Sequence, residues 1–326
     1  MNSISRRHML QTASCGFGYL ALSGLAQASL QDRPAMHHAR AKRVIFLCMS
    51  GGPAQLDTFD YKPQTGKKPH PGSVYEFSHY GESGMLISEL MPHTAQHADK
   101  LCMLNGMHAD TGIHAQSFLQ LHTGDRLRKR PSLGSWISYG LGSQNENLPA
   151  FSVLLSRGWN GGQPLYAKLW GNGFLPSKHQ GVMFRSGQEP VLYLNNPQGL
   201  DRTRRRIMLD HLADLHTSQY DHFGDEEIMS RVAQYEMAYR MQMSVPDTLD
   251  TSKEPEHIYE LYGEDAKKPG TYAHNCLLAR KLIESGVRFV QLYHQGWDMH
   301  GNLPHYIKIQ TNDTDQASAG LILDLK

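Results

Sequence analysis

The sequence predicts an α/β protein with a mostly parallel sheet flanked by helices, and two segments carry that prediction. Residues 44–49 form a continuous apolar run, which is typical of a strand buried on both faces of a parallel sheet. The run ends in Ser50-Gly51-Gly52-Pro53, a strong turn signal. Residues 272–285 have apolar side chains at helical spacing, and Gly286 and the strand-like segment 287–293 follow. Helix, glycine turn and strand in that order are the return half of a βαβ unit.

Weaker patterns assign the rest of the chain. Residues 60–84 are rich in Gly, Pro, Lys and Tyr and indicate a surface excursion, whereas residues 142–200 indicate loops and small strands. Residues 101–104 are a candidate short strand. Helices are predicted over 88–98 with Pro92 in the first turn, from Gln116 to His122, from Asp201 to about Gln219, and from about Asp225 to Pro246, which closes the last one.

Composition excludes several classes of protein. The 326 residues include 32 Lys and Arg against 31 Asp and Glu, so no basic face for nucleic acid and no polybasic membrane binder is expected. Apolar residues are 40% of the chain, which excludes bulk disorder. The 4 Cys are too few for a disulfide scaffold. The 19 His are an unusual excess and point to metal or proton-transfer chemistry.

Residues 1–28 are predicted to be a twin-arginine signal peptide. Arg6-Arg7 precedes a weakly apolar run over 15–25, and Ala26-Gln27-Ala28 matches a cleavage site. The run is too short to span a bilayer, and the alternative is an ordinary basic N-terminus before a helix. Residues 29–42 are predicted to be a flexible lead-in to a single domain over 43–326. We therefore expect an exported protein, periplasmic or extracellular, with no transmembrane segment after cleavage.

The loop after the first predicted strand is the first candidate site. In parallel α/β sheets, ligands bind beyond the carboxyl ends of strands. Gly51 and Gly52 allow backbone amides to approach an anionic substrate. Asp57 and Asp60 supply carboxylates suited to a cation. A tight turn with acids that cap a helix is an equally good interpretation.

The loop after the strand 287–293 is the second candidate site. His294, Asp298 and His300 lie within seven residues there. In an extended chain, the i, i+2 spacing of Asp298 and His300 directs both side chains to one side, which suits two ligands of one metal. The alternative is a polar loop with incidental histidines.

A third cluster lies over residues 108–124, where His108, His114 and His122 accompany Thr111 and Ser117. It follows a predicted strand end and precedes a helix start, where anions collect. No Gly-x-Ser-x-Gly elbow occurs in the sequence, so a serine-hydrolase triad is not indicated.

Taken together, these motifs resemble an exported family, domain of unknown function 1501, whose members resemble sulfatases and the alkaline phosphatase superfamily. The resemblance extends over nearly the whole chain. Its motifs are the Ser5-Arg6-Arg7 signal, residues 42–47 before Gly51-Gly52-Pro53, Asp57-Thr58-Phe59-Asp60, Ser88-Glu89-Leu90 with Pro92-His93, His114-Ala115 before Leu121-His122-Thr123-Gly124, Arg130-Pro131-Ser132-Leu133-Gly134, and residues 296–302.

The resemblance implies an alkaline phosphatase-like sheet and a metal-dependent hydrolase of phosphate or sulfate esters. The metal would be a divalent ion of the zinc, manganese or iron class, held by Asp57, Asp298 and His300. His114 falls at the place of the sulfatase nucleophile, where it could form a phospho-intermediate, bind metal or mark a site that no longer attacks. Arg130 could hold a small anionic ester substrate.

Two alternatives to an active hydrolase stay open at this level. Members of the resembled family continue into further strands beyond the equivalent of Lys326, so the chain is expected to be truncated at its C-terminus, with an incomplete sheet and site. The alternatives are a non-catalytic exported binding protein that kept the fold, and an inactive fragment of it.

Overall fold

The structure, a computed structural model, describes residues 40–63, 72–159, 162, 165–185, 191 and 196–326. The predicted signal peptide over 1–28 and most of the predicted lead-in lie outside the described residues. Among the described residues, no helix is long and apolar enough to span a membrane.

The strands form one parallel sheet and one small hairpin. The strands are β1 (Val44–Ser50), β2 (Phe77–Tyr80), β3 (Met85–Ser88), β4 (Phe151–Arg157), β5 (Val182–Met183) and β6 (Phe289–Gln295). The main sheet has the order β1–β6–β4–β5 with every pair parallel, and β2 pairs antiparallel with β3. The prediction of a mixed α/β fold with a parallel sheet flanked by helices is therefore confirmed.

The helices fill the segments between these strands. They are α1 (Pro92–Ala95), α2 (His114–Thr123), α3 (Leu133–Leu141), α4 (Arg202–Phe223), α5 (Glu226–Leu249), α6 (Glu256–Tyr262), α7 (Tyr272–Glu284) and α8 (Leu303–Asp324). Asp201 caps α4 by accepting a hydrogen bond from the backbone N–H of Arg204, and Thr271 caps α7 in the same way through His274.

Strand β6 is the centre of the core, and all seven of its residues are buried. Its side chains alternate between the two faces of the sheet. Val290 and Leu292 belong to the large apolar cluster that α7 and α8 complete. Phe289 and Tyr293 belong to the cluster on the opposite face, together with Phe118 of α2. Burial on both faces fits the apolar members of the segment, and the polar members Gln291, His294 and Gln295 are buried with them.

A third apolar cluster joins the hairpin and α1 to the loop that follows β6. Ile87, Met91, Trp297 and Ile307 form its buried centre. The carboxylate of Asp315 in α8 accepts hydrogen bonds from the backbone N–H groups of His93 and Thr94, at 2.7 and 2.8 Å. These bonds satisfy orphan donors at the start of α1, so α8 fixes the position of that helix.

Three details of the sequence prediction are wrong. Residues 101–104 form no strand, because Cys102 and Leu104 are exposed and the segment lacks a sheet partner among the described residues. The predicted helix over 88–98 is reduced to α1, since β3 extends to Ser88. Pro246 does not close α5, which continues to Leu249 around the buried Met241 and Val245. Tertiary packing there outweighs the backbone hydrogen bond that proline removes.

Candidate functional site

Two histidines and one aspartate converge beyond the carboxyl ends of β1 and β6. The Nε2 atoms of His300 and His114 lie 2.8 and 3.3 Å from the same oxygen of Asp298, Oδ1. One ligand atom from each of the three residues lies within 4.8 Å of the others. We call His114, Asp298 and His300 the His–Asp group. The His300 side chain is 85% exposed and the Asp298 side chain 18% exposed, so the group opens to solvent.

The loop after β6, which carries Asp298 and His300, packs directly on the loop after β1. The backbone N–H of Trp297 donates to the carbonyl of Ser50 at 3.1 Å, and Trp297 is 1% exposed. A Cβ on Gly51 would lie 2.3 Å from the backbone nitrogen of Asp298. Only glycine allows the two backbones to lie this close, so Gly51 fixes the position of Asp298 by direct backbone packing.

Gly52 has a different environment from Gly51. Both have positive φ, +115° at Gly51 and +89° at Gly52. Both also border an open cavity of about 810 Å³, but a Cβ on Gly52 would meet no atom within 4 Å. Gly51 is therefore a packing position, whereas Gly52 is available to a ligand.

The cavity lies between β1 and α2 and adjoins the His–Asp group through His114. His108, Ser117, Phe118 and Cys48 also border it. Burial raises the pKa of the Cys48 thiol to about 12, so this cysteine is a neutral thiol at physiological pH and a poor nucleophile. The Ser117 hydroxyl donates to the carbonyl of Thr111 at 2.6 Å, and the Thr111 hydroxyl accepts from the backbone N–H of Ile113. Among the described residues, neither of these two hydroxyls contacts a general base in a triad-like arrangement.

Two predicted site residues lie apart from the His–Asp group. Asp57 is buried, and its carboxylate accepts a hydrogen bond from Ser73 at 2.7 Å; its oxygens are not within the 4.8 Å limit of the three ligand atoms. Arg130 has a half-exposed side chain, 3.6 Å from Asp125, and does not border the cavity.

A buried group of polar side chains lies beneath the cavity, and sequence reasoning missed it. The Tyr293 hydroxyl lies 2.9 Å from Nε2 of His122, and Nδ1 of His122 lies 2.7 Å from the carbonyl of Phe118. Burial lowers the pKa of His122 to about 4, so the ring is neutral and donates from Nδ1. Gln291 also contacts the Tyr293 hydroxyl. The apolar neighbours Phe118 and Leu119 were the signal in the sequence that His122 faces the core.

A second buried histidine lies on the other face of the sheet. Nδ1 of His294 lies 3.0 Å from the Ser156 hydroxyl, and Nε2 lies 3.6 Å from Asp313. The three residue types are those of a hydrolase triad, but Ser156 and His294 are each 1% exposed. The Ser156 hydroxyl also has the Tyr293 carbonyl 3.1 Å away. Ser156 and His294 therefore belong to the core, away from any substrate, although the Asp313 side chain is 35% exposed.

The comparison with known protein families covers nearly the entire described chain. The family described as protein of unknown function (DUF1501) matches residues 41–326. The chain belongs to the DUF1501 family. No curated protein and no solved structure matches this DUF1501 chain. The family match includes β1, β6 and all three members of the His–Asp group.

Proposed function

We propose that this DUF1501 protein is an exported, metal-dependent hydrolase of phosphate or sulfate esters. The observation that carries the proposal is the His–Asp group, in which two imidazoles and one carboxylate converge at an open edge of the sheet. Three protein ligands with remaining open positions are the usual arrangement of catalytic, rather than structural, metal sites. The alkaline phosphatase-like assignment of the sheet and export through residues 1–28 belong to the same proposal and rest on the sequence motifs.

The spacing of the donor atoms fits a divalent metal ion. For metal–ligand bonds of about 2.1 Å, neighbouring ligands lie about 3.0 Å apart in octahedral and about 3.4 Å apart in tetrahedral geometry. The observed nitrogen–oxygen distances of 2.8 and 3.3 Å lie near these values. Two imidazoles and a carboxylate suit zinc, manganese or iron. In this proposal His114 is a metal ligand rather than the nucleophile.

The residues around the His–Asp group have the remaining roles in the proposed hydrolysis. When bound, a divalent ion would acidify a water molecule and neutralise charge that develops on an ester oxygen. His114 is the first residue of α2, where free backbone N–H groups favour an anion. Gly52 lets the chain approach the substrate closely beside the cavity. Because Cys48 is a neutral thiol and the Ser117 hydroxyl donates to the Thr111 carbonyl rather than to a general base, we propose direct attack by water rather than a covalent enzyme intermediate.

The test combines metal content with activity. Purified protein is loaded with zinc, manganese or iron, its metal content is measured, and hydrolysis of para-nitrophenyl phosphate and para-nitrophenyl sulfate is followed before and after chelation. We expect one ion per chain and chelator-sensitive hydrolysis. His300→Ala should lose both, whereas His305→Ala, an exposed histidine in the first turns of α8, should lose neither.

The two other outcomes are informative. One ion per chain without hydrolysis of either ester would support a non-catalytic metal-binding protein, which the position of His114 at the sulfatase nucleophile's place favours. Failure to bind any of the three ions stoichiometrically would overturn the proposal, and the three side chains would then be a surface hydrogen-bond group.

A further inference from the structure

A second cavity lies at the opposite end of the sheet from the His–Asp group. It has a volume of about 430 Å³ and is bordered by Pro149 and Ala150, which precede β4, and by Val182 at the start of β5. Because the strands are parallel, this is the amino-terminal edge of the sheet, whereas the His–Asp group lies beyond the carboxyl ends. The volume is within the range of small-molecule pockets.

The walls of this cavity are held in place before any ligand binds. The backbone N–H of Ser177 donates to Glu227 at 3.1 Å, and the Ser177 hydroxyl accepts from Gln234 at 2.9 Å, both on α5. On the other side, Nδ1 of His179 lies 3.0 Å from the Ser138 hydroxyl of α3. A preformed pocket lowers the ordering cost of binding.

The interior of the cavity is mostly apolar, but its charged groups all have one sign. Met237 and Met241 of α5 form the apolar side, and Met241 is 3% exposed. Arg240 and Lys178 border the same space, and no described carboxylate borders it. The combination suits a ligand with an apolar body and one anionic end.

Arg240 supplies the independent observation that points to a ligand. Its Nε atom is buried and has no hydrogen-bond partner in the described part of the chain. Glu236, one turn earlier on α5, has both carboxylate oxygens bound by Arg206 at 2.9 and 2.5 Å. The guanidinium of Arg240 makes no ion pair within the described residues. Arg240 as a whole is partly exposed and its charge interacts with Glu236, so the unsatisfied group is the buried Nε–H. A buried donor without a hydrogen bond is costly, and an anionic ligand would satisfy it.

We propose that this cavity binds an amphipathic monocarboxylate, with its apolar chain against Met237 and Met241 and its carboxylate on Arg240. The proposal is independent of the metal-dependent activity, because the two sites lie at opposite edges of the sheet. The exposed Lys178 also borders the cavity and adds to the attraction for an anion.

The experiment uses decanoate as the probe and decanol as its uncharged counterpart, with binding to the full chain measured by titration calorimetry. We expect saturable binding of decanoate, at least about tenfold tighter than that of decanol, because a hydrogen bond to a charged group is replaced by a neutral contact. Equal affinity for the two probes, or no saturable binding of decanoate, would overturn the proposal.

Variants of α5 separate the role of Arg240 from general effects of charge. Arg240→Gln should weaken decanoate binding at least about tenfold, and Arg240→Lys should weaken it less. Arg231→Gln, at an exposed position on the same helix, should leave binding unchanged. Ala238→Phe, which narrows the cavity, should weaken both probes and serves if Arg240→Gln fails to fold by circular dichroism. Unchanged binding in folded Arg240→Gln would refute the assignment.

Discussion

The His–Asp group and the buried His122–Tyr293 pair use the same residue type in opposite ways. In the buried pair each ring nitrogen of His122 has its own partner, a hydroxyl on one side and a carbonyl on the other. In the exposed group two imidazoles share a single oxygen of Asp298. Both groups lie close to α2. In the buried pair His122 is 4% exposed, whereas in the His–Asp group the His300 side chain is 85% exposed.

The difference shows that partner arrangement, rather than the number of histidines, distinguishes a core group from a ligand group. A neutral His122 with both nitrogens satisfied cannot bind a metal without breaking two buried hydrogen bonds. Exposed imidazoles that share one carboxylate lose little when a cation replaces those contacts, because water already competes for them. Variants that alter one of the two groups while leaving the other intact test this difference.

The largest expected effect comes from substitution of Gly51. Gly51→Ala places a Cβ 2.3 Å from the backbone nitrogen of Asp298 and should lower the free energy of unfolding by about 3 kcal/mol or more. Zinc affinity should fall as well, because Asp298 must move. Urea denaturation and calorimetric titration measure the two effects.

Gly52→Ala is the matched control for Gly51→Ala. It places alanine at a positive φ of +89° but in open space, so we expect a cost of only about 1–2 kcal/mol. Equal losses of stability for the two variants would contradict the packing role assigned to Gly51.

The next effect is the dependence of stability on pH, which should come from the buried histidines. Burial lowers the pKa of His122 and of His294 from 6.5 to about 4. Between these values the unfolded chain binds a proton that the folded chain does not, so stability falls as the pH falls from about 6.5 to 4. Each histidine should account for about 3 kcal/mol over this range.

Asp313 acts in the opposite direction and must be separated from the histidines. Burial raises its pKa to about 6, so the folded chain takes up this proton first, and the contribution is present at low pH and lost as the pH rises through 6. Between pH 4 and 7, the free energy of unfolding of His122→Gln should depend less steeply on pH than that of the parent chain. The free energy of unfolding of Asp313→Asn should depend more steeply on pH. An unchanged slope in His122→Gln would mean that His122 is not the titrating group.

The sheet was predictable from the sequence to a greater extent than the site. The apolar run at residues 44–49 predicts β1 as a strand, but the expected burial on both faces is wrong there, because β1 is at the edge of the described sheet and only Cys48 and Ser50 are buried. The helix–Gly286–strand unit predicts α7 and β6, and β6 is buried on both sheet faces. Residues 101–104 show the limit of such patterns, since a run of four apolar residues does not specify a partner strand.

The site was predictable only in part because its members are distant in sequence. The spacing of Asp298 and His300 indicated one shared ligand position, and the structure has both side chains in contact. The motif places His114 at the position of a nucleophile and leaves open whether it attacks or binds metal, whereas its contact with Asp298 depends on how α2 packs against the sheet. No local pattern could reveal that the Asp57 carboxylate bonds to Ser73.

A smaller effect should separate stability from metal binding. Tyr293→Phe leaves Nε2 of the buried His122 without a partner and should lower the free energy of unfolding by about 1–3 kcal/mol, with zinc affinity unchanged. His300→Ala should do the reverse, since substitution of so exposed a side chain costs at most about 0.5 kcal/mol while a ligand is lost. If Tyr293→Phe abolished zinc binding with its fold intact, the two groups would be coupled and the comparison would fail.

The smallest effect is expected at Asp57, where the sequence hypothesis and the His–Asp group differ. Asp57→Asn keeps an oxygen that can accept from Ser73, so zinc affinity should stay within about threefold of the parent chain. Asp298→Asn should lower zinc affinity at least about 100-fold, since loss of outer partners alone costs about 10–100-fold at metal sites. Calorimetric titration of both variants decides between the ligand sets. If Asp57→Asn weakened zinc binding as strongly as Asp298→Asn, Asp57 would be a ligand, and the β1 loop would have to move toward Asp298 when the ion binds.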